Sequence, residues 1–146
     1  FDRDVLAAPG VTHLVVMEGI NDIGSGEVGA DELIAGHQQI IGRARAAGLT
    51  VIGATLTPFE DAAFEGYYTP DHEAARQALN EWIRTSGAYD AIIDFDAAVR
   101  DPAQPTRLQS QYAAPDNIHP NDAGYRGMAA AVDLQLFTPL EPAASR

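Results

Sequence analysis

The chain predicts a three-layer α/β/α sandwich built on a parallel sheet. Three observations carry that expectation. Apolar, β-branched runs occur at 11–17, 49–55 and 91–95, stretches of helical period lie between them, and glycine or proline marks the joints. Alternating strand and helix at these spacings feeds right-handed crossovers, which set the strands parallel and lay helices on both faces. Three strands are few for such a sheet.

Composition narrows the function. A chain of 146 residues with 46% hydrophobic content is the size of one domain able to bury a core. Residues 1–146 are therefore expected to form a single unit, with roughly 138–146 as a tail. Cysteine is absent, which removes disulfides, thiolate zinc sites and a cysteine nucleophile. The net charge is −12 and all nine basic residues are Arg, so a P-loop lysine and Schiff-base chemistry are excluded and nucleic-acid binding is disfavoured. No apolar run approaches the ~20 residues that span a bilayer. Phe1 is not an initiator Met, so the natural start is expected to lie upstream, and a secreted or a cytoplasmic location both stay open.

The first eight residues read as the end of a helix stopped by Pro9-Gly10. Val11 to Met17 is a continuous apolar strand of the kind buried on both faces, and it runs into a glycine-rich polar loop, Glu18 to Gly24. Leu33, Ile34, His37, Ile40, Ile41 and Ala44 then share one helical face, with Gly48 as the stop. After the strand at Leu49–Thr55, a loop of about a dozen residues opens at Thr57-Pro58, longer than the roughly 2–6 usual in such units. Thr69 followed by Pro70 is a helix start, and Ala75, Ala78, Leu79 and Trp82 are the expected buried stripe of a helix ending at Gly87. The strand at Ala91–Phe95 leads through a short helical turn and Pro-broken chain to Asp116. A last helix is expected to start near Asn121, with Tyr125, Met128, Ala129, Val132 and Leu136 on one face.

Two short stretches could carry chemistry. In Asp116-Asn117-Ile118-His119, two intervening residues let the carboxylate reach one ring nitrogen while the other points away, which is a base with its orienter. The same residues also fit a polar turn ahead of a helix. In Gly19-Ile20-Asn21-Asp22, a glycine permits a sharp turn beyond a strand end, and the Asn amide could donate to a developing oxyanion. A turn residue bonded to nearby backbone fits that stretch equally.

Taken together, Gly-Ile-Asn-Asp at 19–22 and Asp-Asn-Ile-His-Pro-Asn-Asp at 116–122 resemble the SGNH (GDSL-type) hydrolases, serine esterases and acylhydrolases of flavodoxin-like fold. Thr57-Pro58 and the Pro120–Tyr125 run extend the resemblance over nearly the whole chain. It implies Asn21, with Gly19, in the oxyanion hole, and Asp116 and His119 as acid and base of a triad. It also implies an acyl-enzyme route on an acyl or acetyl ester, including acetylated carbohydrates, with no metal or organic cofactor. One departure stands out. The family's Gly-Asp-Ser block, which carries the nucleophile, and the block with its second oxyanion-hole Gly do not occur in this sequence. The resemblance places Phe1 just before the family's third strand, so the chain reads as N-terminally truncated.

Of Ser25, Ser86, Ser110 and Ser145, only Ser25 lies at the right end of the sheet, between Gly24 and Gly26, and it is the contender for a substitute nucleophile. Phe59, Phe64, Tyr67 and Tyr68 in the long loop either contact substrate or form a packed flap. His13, His37 and His72 lack metal-ligand spacing and are assigned structural roles. Asp94 and Asp96 are expected to cap the short helix that follows them, or to line the cleft. An uncovered sheet edge would invite pairing, so a homodimer, a higher oligomer or a complementing N-terminal fragment is the expected partner besides the ester. The alternative to a hydrolase is a non-catalytic α/β domain acting in binding or assembly.

Overall fold

The computed structural model describes residues 1–26 and 28–138, so most of the expected tail, Ser145 included, lies outside the described residues. Three parallel strands, β1 (His13–Val16), β2 (Thr50–Ala54) and β3 (Ala91–Ile93), pair in the order β1-β2-β3. His13 is in register with Thr50, and Ile52 with Ala91. Central β2 is buried on both faces, and alternate residues serve different clusters. Val51 joins the core shared with the helices carrying Leu33, Ile41, Leu79 and Ile83, whereas Ile52 and Ala54 pack with Ile93, Val132, Leu136 and Phe137 on the opposite face. That division is the three-layer arrangement.

Helices α1 (Ile20–Ser25), α2 (Ala30–Ala46), α3 (Pro70–Thr85), α4 (Phe95–Val99) and α5 (Asp122–Ala130) complete the frame, with a wide helical turn at Asp2–Leu6 and a tight one at Leu134–Phe137. Helix α2 buries Leu33, His37, Ile41 and Ala44, close to the expected stripe. On α3 the predicted stripe is rotated. The chain buries Glu73, Arg76, Leu79, Asn80 and Ile83, while Ala78 is exposed and Trp82 half-buried. The reason is polar: Arg76, with none of its surface exposed, donates to Glu73, to Asp96 and to the Leu56 carbonyl, so a charged side turns inward. Helix α5 ends at Ala130, before the expected Val132 and Leu136, and its Tyr125 is exposed rather than buried.

The stretch at 19–24, expected as a loop, is largely helical. Gly19, at φ 124°, turns the strand end directly into α1, and fully buried Ile23 anchors that helix in the core. Asp94 does cap α4, accepting from the Ala97 N–H at 3.0 Å, but Asp96 is buried in the Arg76 cluster. No helix among the described residues is long and apolar enough to cross a membrane.

Candidate active site

Beyond the C-terminal ends of the strands, the chain builds a cavity of about 570 Å³ whose walls include Asn21, Ser25, Phe64, Tyr67 and His119. One wall is the loop before α5. Asn117 adopts a left-handed conformation, φ 55°, which folds the loop back on itself. The Asp116 carboxylate lies inside that turn, where Oδ1 accepts from the backbone N–H groups of Ile118 and His119, each at 3.0 Å. Oδ2 accepts from His119 Nδ1–H at 2.7 Å. A carboxylate only accepts, so Nδ1 carries the proton and Nε2, which has no protein partner among the described residues, is the basic nitrogen. Hydrogen bonds from the His119 backbone and ring, then from Ile118, hold the Asp116 carboxyl down at about 2.

The end of that loop is fixed by Asn121. Its Oδ1 caps α5 through the N–H groups of Ala123 (2.8 Å) and Gly124 (3.0 Å), while Nδ2 donates to the carbonyls of Gln111 and Ala113. His119 is thus presented by a short loop pinned at both ends, and its side chain is 65% exposed on the cavity side.

Opposite it, α1 presents Asn21 within its first turn. Asn21 Oδ1 accepts from the Tyr67 hydroxyl at 2.8 Å, and its amide N–H pair has no protein partner among the described residues. Gly19 is buried, and its positive φ sets the angle at which α1 leaves β1. Gly24 lies so close to Tyr67 that a Cβ there would fall 2.4 Å from the ring, so only glycine lets the ring pack on α1.

The long loop joins the two walls. Its Ala63 N–H donates to the Asp116 carbonyl at 2.9 Å, and the Asp61 carbonyl accepts from Asn117 Nδ2 at 3.1 Å. At its far end it reaches Asn21 through Tyr67. The four aromatic residues of this loop divide accordingly. Phe64 and Tyr67 line the cavity, whereas Phe59 is buried in the core, 1% exposed, and Tyr68 packs edge-on against it. Ser25 ends α1 and is the one serine among the described residues on the cavity wall. Asp116, His119 and Asn21 were legible in sequence spacing. The hydrogen bond from Tyr67 to Asn21 was not, since no local pattern links residues on separate loops.

A family model described as GDSL-like Lipase/Acylhydrolase family matches residues 1–126. Among solved structures, a GDSL-like lipase from Bacteroides thetaiotaomicron is similar at 22% identity and TM-score 0.68, covering 84% of this chain. The chain spans 60% of that protein. A member of the lipolytic protein G-D-S-L family from Veillonella parvula is similar at 26% identity and TM-score 0.67, with 92% of this chain and 69% of that one covered. No curated protein sequence matches the chain.

Proposed function

The chain belongs to the GDSL-like lipase/acylhydrolase family, and on that premise we propose that it carries the base, the acid and one oxyanion donor of a serine ester hydrolase acting on acyl or acetyl esters. The observation that supports this reading most is the shared cavity, on which His119, oriented by Asp116, faces the same space as the unpartnered amide of Asn21. A base and an anion stabiliser on one cavity are what acyl transfer requires.

In the proposed reaction a serine Oγ attacks the ester carbonyl carbon as its proton passes to His119 Nε2. Ionised Asp116 holds the ring in the Nδ1–H tautomer and stabilises the imidazolium. Asn21 donates to the tetrahedral oxyanion, a contribution of about 2.7–4 kcal/mol for such donors. Collapse expels the alcohol with the proton from His119, and water then repeats the sequence on the acyl-enzyme. No metal or organic cofactor enters these steps. Phe64 and the ring of Tyr67 form the apolar side that would receive the acyl or sugar portion.

The nucleophile is proposed to come on a strand that pairs with the free edge of β1, which among the described strands bonds only β2 and leaves Val15 40% exposed. A segment or second copy supplying that strand is the proposed partner. Ser25 is the less suitable source, because it ends a short helix between two glycines and has no hydrogen bond to His119. The test is hydrolysis of a short-chain nitrophenyl ester by this chain alone and by a form extended at its N-terminus. Turnover that appears on extension, vanishes in His119→Ala and survives Ser25→Ala is expected. Turnover indifferent to His119→Ala, or absent from both forms, overturns the reading in favour of a binding or assembly domain.

A further inference from the structure

We propose that Tyr67 is a positioning residue whose hydroxyl locks the Asn21 amide with its N–H pair turned toward the space in front of His119. The inference rests on the reading of Asn21 as oxyanion donor and extends it to the residue that aims the donor.

An Asn amide has two faces of opposite character, and a flip about its last torsion exchanges an acceptor for two donors. An oxyanion donor that flips presents its own oxygen to the developing negative charge, so a free Asn would spend part of its time in a repulsive arrangement. Asn21 needs a partner that prefers its oxygen. Tyr67 supplies one, since its hydroxyl lies 2.8 Å from Asn21 Oδ1 and farther, at 3.3 Å, from the Ile20 carbonyl. The single hydroxyl proton goes to the nearer oxygen. Burial, and then the negative charges of Asp116 and Asp22, push the Tyr67 phenol above its ordinary value, so the hydroxyl keeps the proton it must donate.

Tyr67 is itself held from three sides. Its ring meets Phe59 edge-on at 5.9 Å between centroids and Phe64 at 6.1 Å, and it sits on the bare backbone of Gly24. The residue is 8% exposed overall. A phenol fixed so firmly can set the orientation of an otherwise exposed amide. Its loop is also the one bonded to Asp116 through Ala63, so one segment carries both the aim of the donor and the seat of the base.

The experiment uses the isotope-labelled full chain and two readouts. In solution NMR, the side-chain amide signals of Asn21, identified by their loss in Asn21→Asp, are compared between wild type and Tyr67→Phe. A shifted and broadened Asn21 pair in Tyr67→Phe, with the backbone spectrum otherwise retained, is expected; an unchanged pair overturns the proposal. In the turnover arm, Tyr67→Phe lowers kcat on the order of tenfold to a hundredfold with KM altered by no more than about twofold. In an Asn21→Ala background the same change costs nothing further, and a full additional loss there overturns the proposal. Should wild type show no turnover, the hydrolase reading fails in its own arm while the amide signals still decide the role of Tyr67.

Discussion

Asn117 donates its side-chain amide to the carbonyl oxygen of Asp61 at 3.1 Å, and both residues occupy the left-handed region, at φ 55° and 69°. These are the two non-glycine residues with positive φ in the described chain, and each steadies the other's turn. The left-handed backbone costs roughly 1–2 kcal/mol for most side chains, less for Asn and Asp, which bond locally. Asn117→Ala removes the hydrogen bond and adds the strain, and is expected to lower stability by about 1–2 kcal/mol. Asn117→Gly keeps the turn and loses only the bond, so it should cost less. Denaturant unfolding of the pair checks this, and equal losses would show that the backbone conformation is not what Asn117 provides.

Asp116 couples the same loop to pH. Its folded-state value, about 2, lies below the ordinary 3.8, so its hydrogen bonds stabilise the fold in full above the ordinary value and are lost as pH falls through the folded one. Wild type is therefore expected to lose stability faster than Asp116→Asn on acidification from about pH 5 to about pH 2. Unfolding curves at a series of pH values measure the difference. In turnover, Asp116→Asn should lower kcat by roughly a hundredfold or more, because an amide can present N–H to the ring and select the wrong tautomer.

How far the site could be read in the sequence follows from which contacts are local. Asp116 and His119 lie three apart, and a turn of that length leaves few ways to arrange them. Asn21 was legible because a glycine and an amide just beyond a strand end have few other uses. Helix α1 was hidden by Gly19, Gly24 and Gly26, which locally signal a loop; its stability comes from burying Ile23 and seating Tyr67, both tertiary effects. The rotation of α3 was hidden for a related reason. Apolar spacing could not reveal that Arg76 and Glu73 turn inward to meet Asp96, some twenty residues onward. Phe59, a plausible substrate contact by its loop position, belongs to the core because that loop folds back onto the sheet.

His37 is expected to make stability pH-dependent in a second range. The Glu18 carbonyl can only accept, so His37 Nε2–H donates to it at 3.0 Å and Nδ1 accepts from the Tyr89 hydroxyl. Both nitrogens are satisfied only in the neutral ring. Burial, outweighing the Glu18 carbonyl and the nearby acidic charges, sets its value below the ordinary 6.5. The unfolded chain then binds the proton more readily, so this contribution is complete above the ordinary value and declines as pH falls below it. Wild type should lose stability between about pH 7 and about pH 5, and His37→Gln should show a flatter profile over that interval. The Glu18 carbonyl immediately precedes Gly19, so the same titration loosens the start of α1 and should broaden the amide signals of the Asn21 turn.

Arg76 tests whether the buried charges hold the long loop in place. The guanidinium is fully buried, bonds Glu73 and Asp96, and donates to the Leu56 carbonyl at 3.0 Å. Asn80 grips the same residue, accepting from the Leu56 N–H at 2.7 Å and donating to its carbonyl at 2.8 Å. Leu56 follows β2 and precedes Thr57-Pro58, so these side chains fix where the loop toward Ala63 and Tyr67 departs. Arg76→Met leaves two carboxylates without their central partner. Asp96 retains Arg84 and Arg100, whereas Glu73 keeps only the Gln77 amide, so a loss of about 3–5 kcal/mol is expected, typical of breaking a buried pair. Glu73→Gln combined with Arg76→Met removes the stranded charge and should recover part of that loss. Chemical denaturation of the single and double variants measures it, and a double variant no more stable than Arg76→Met would mean that the guanidinium's bond to Leu56, rather than its charge pairing, is what the fold requires.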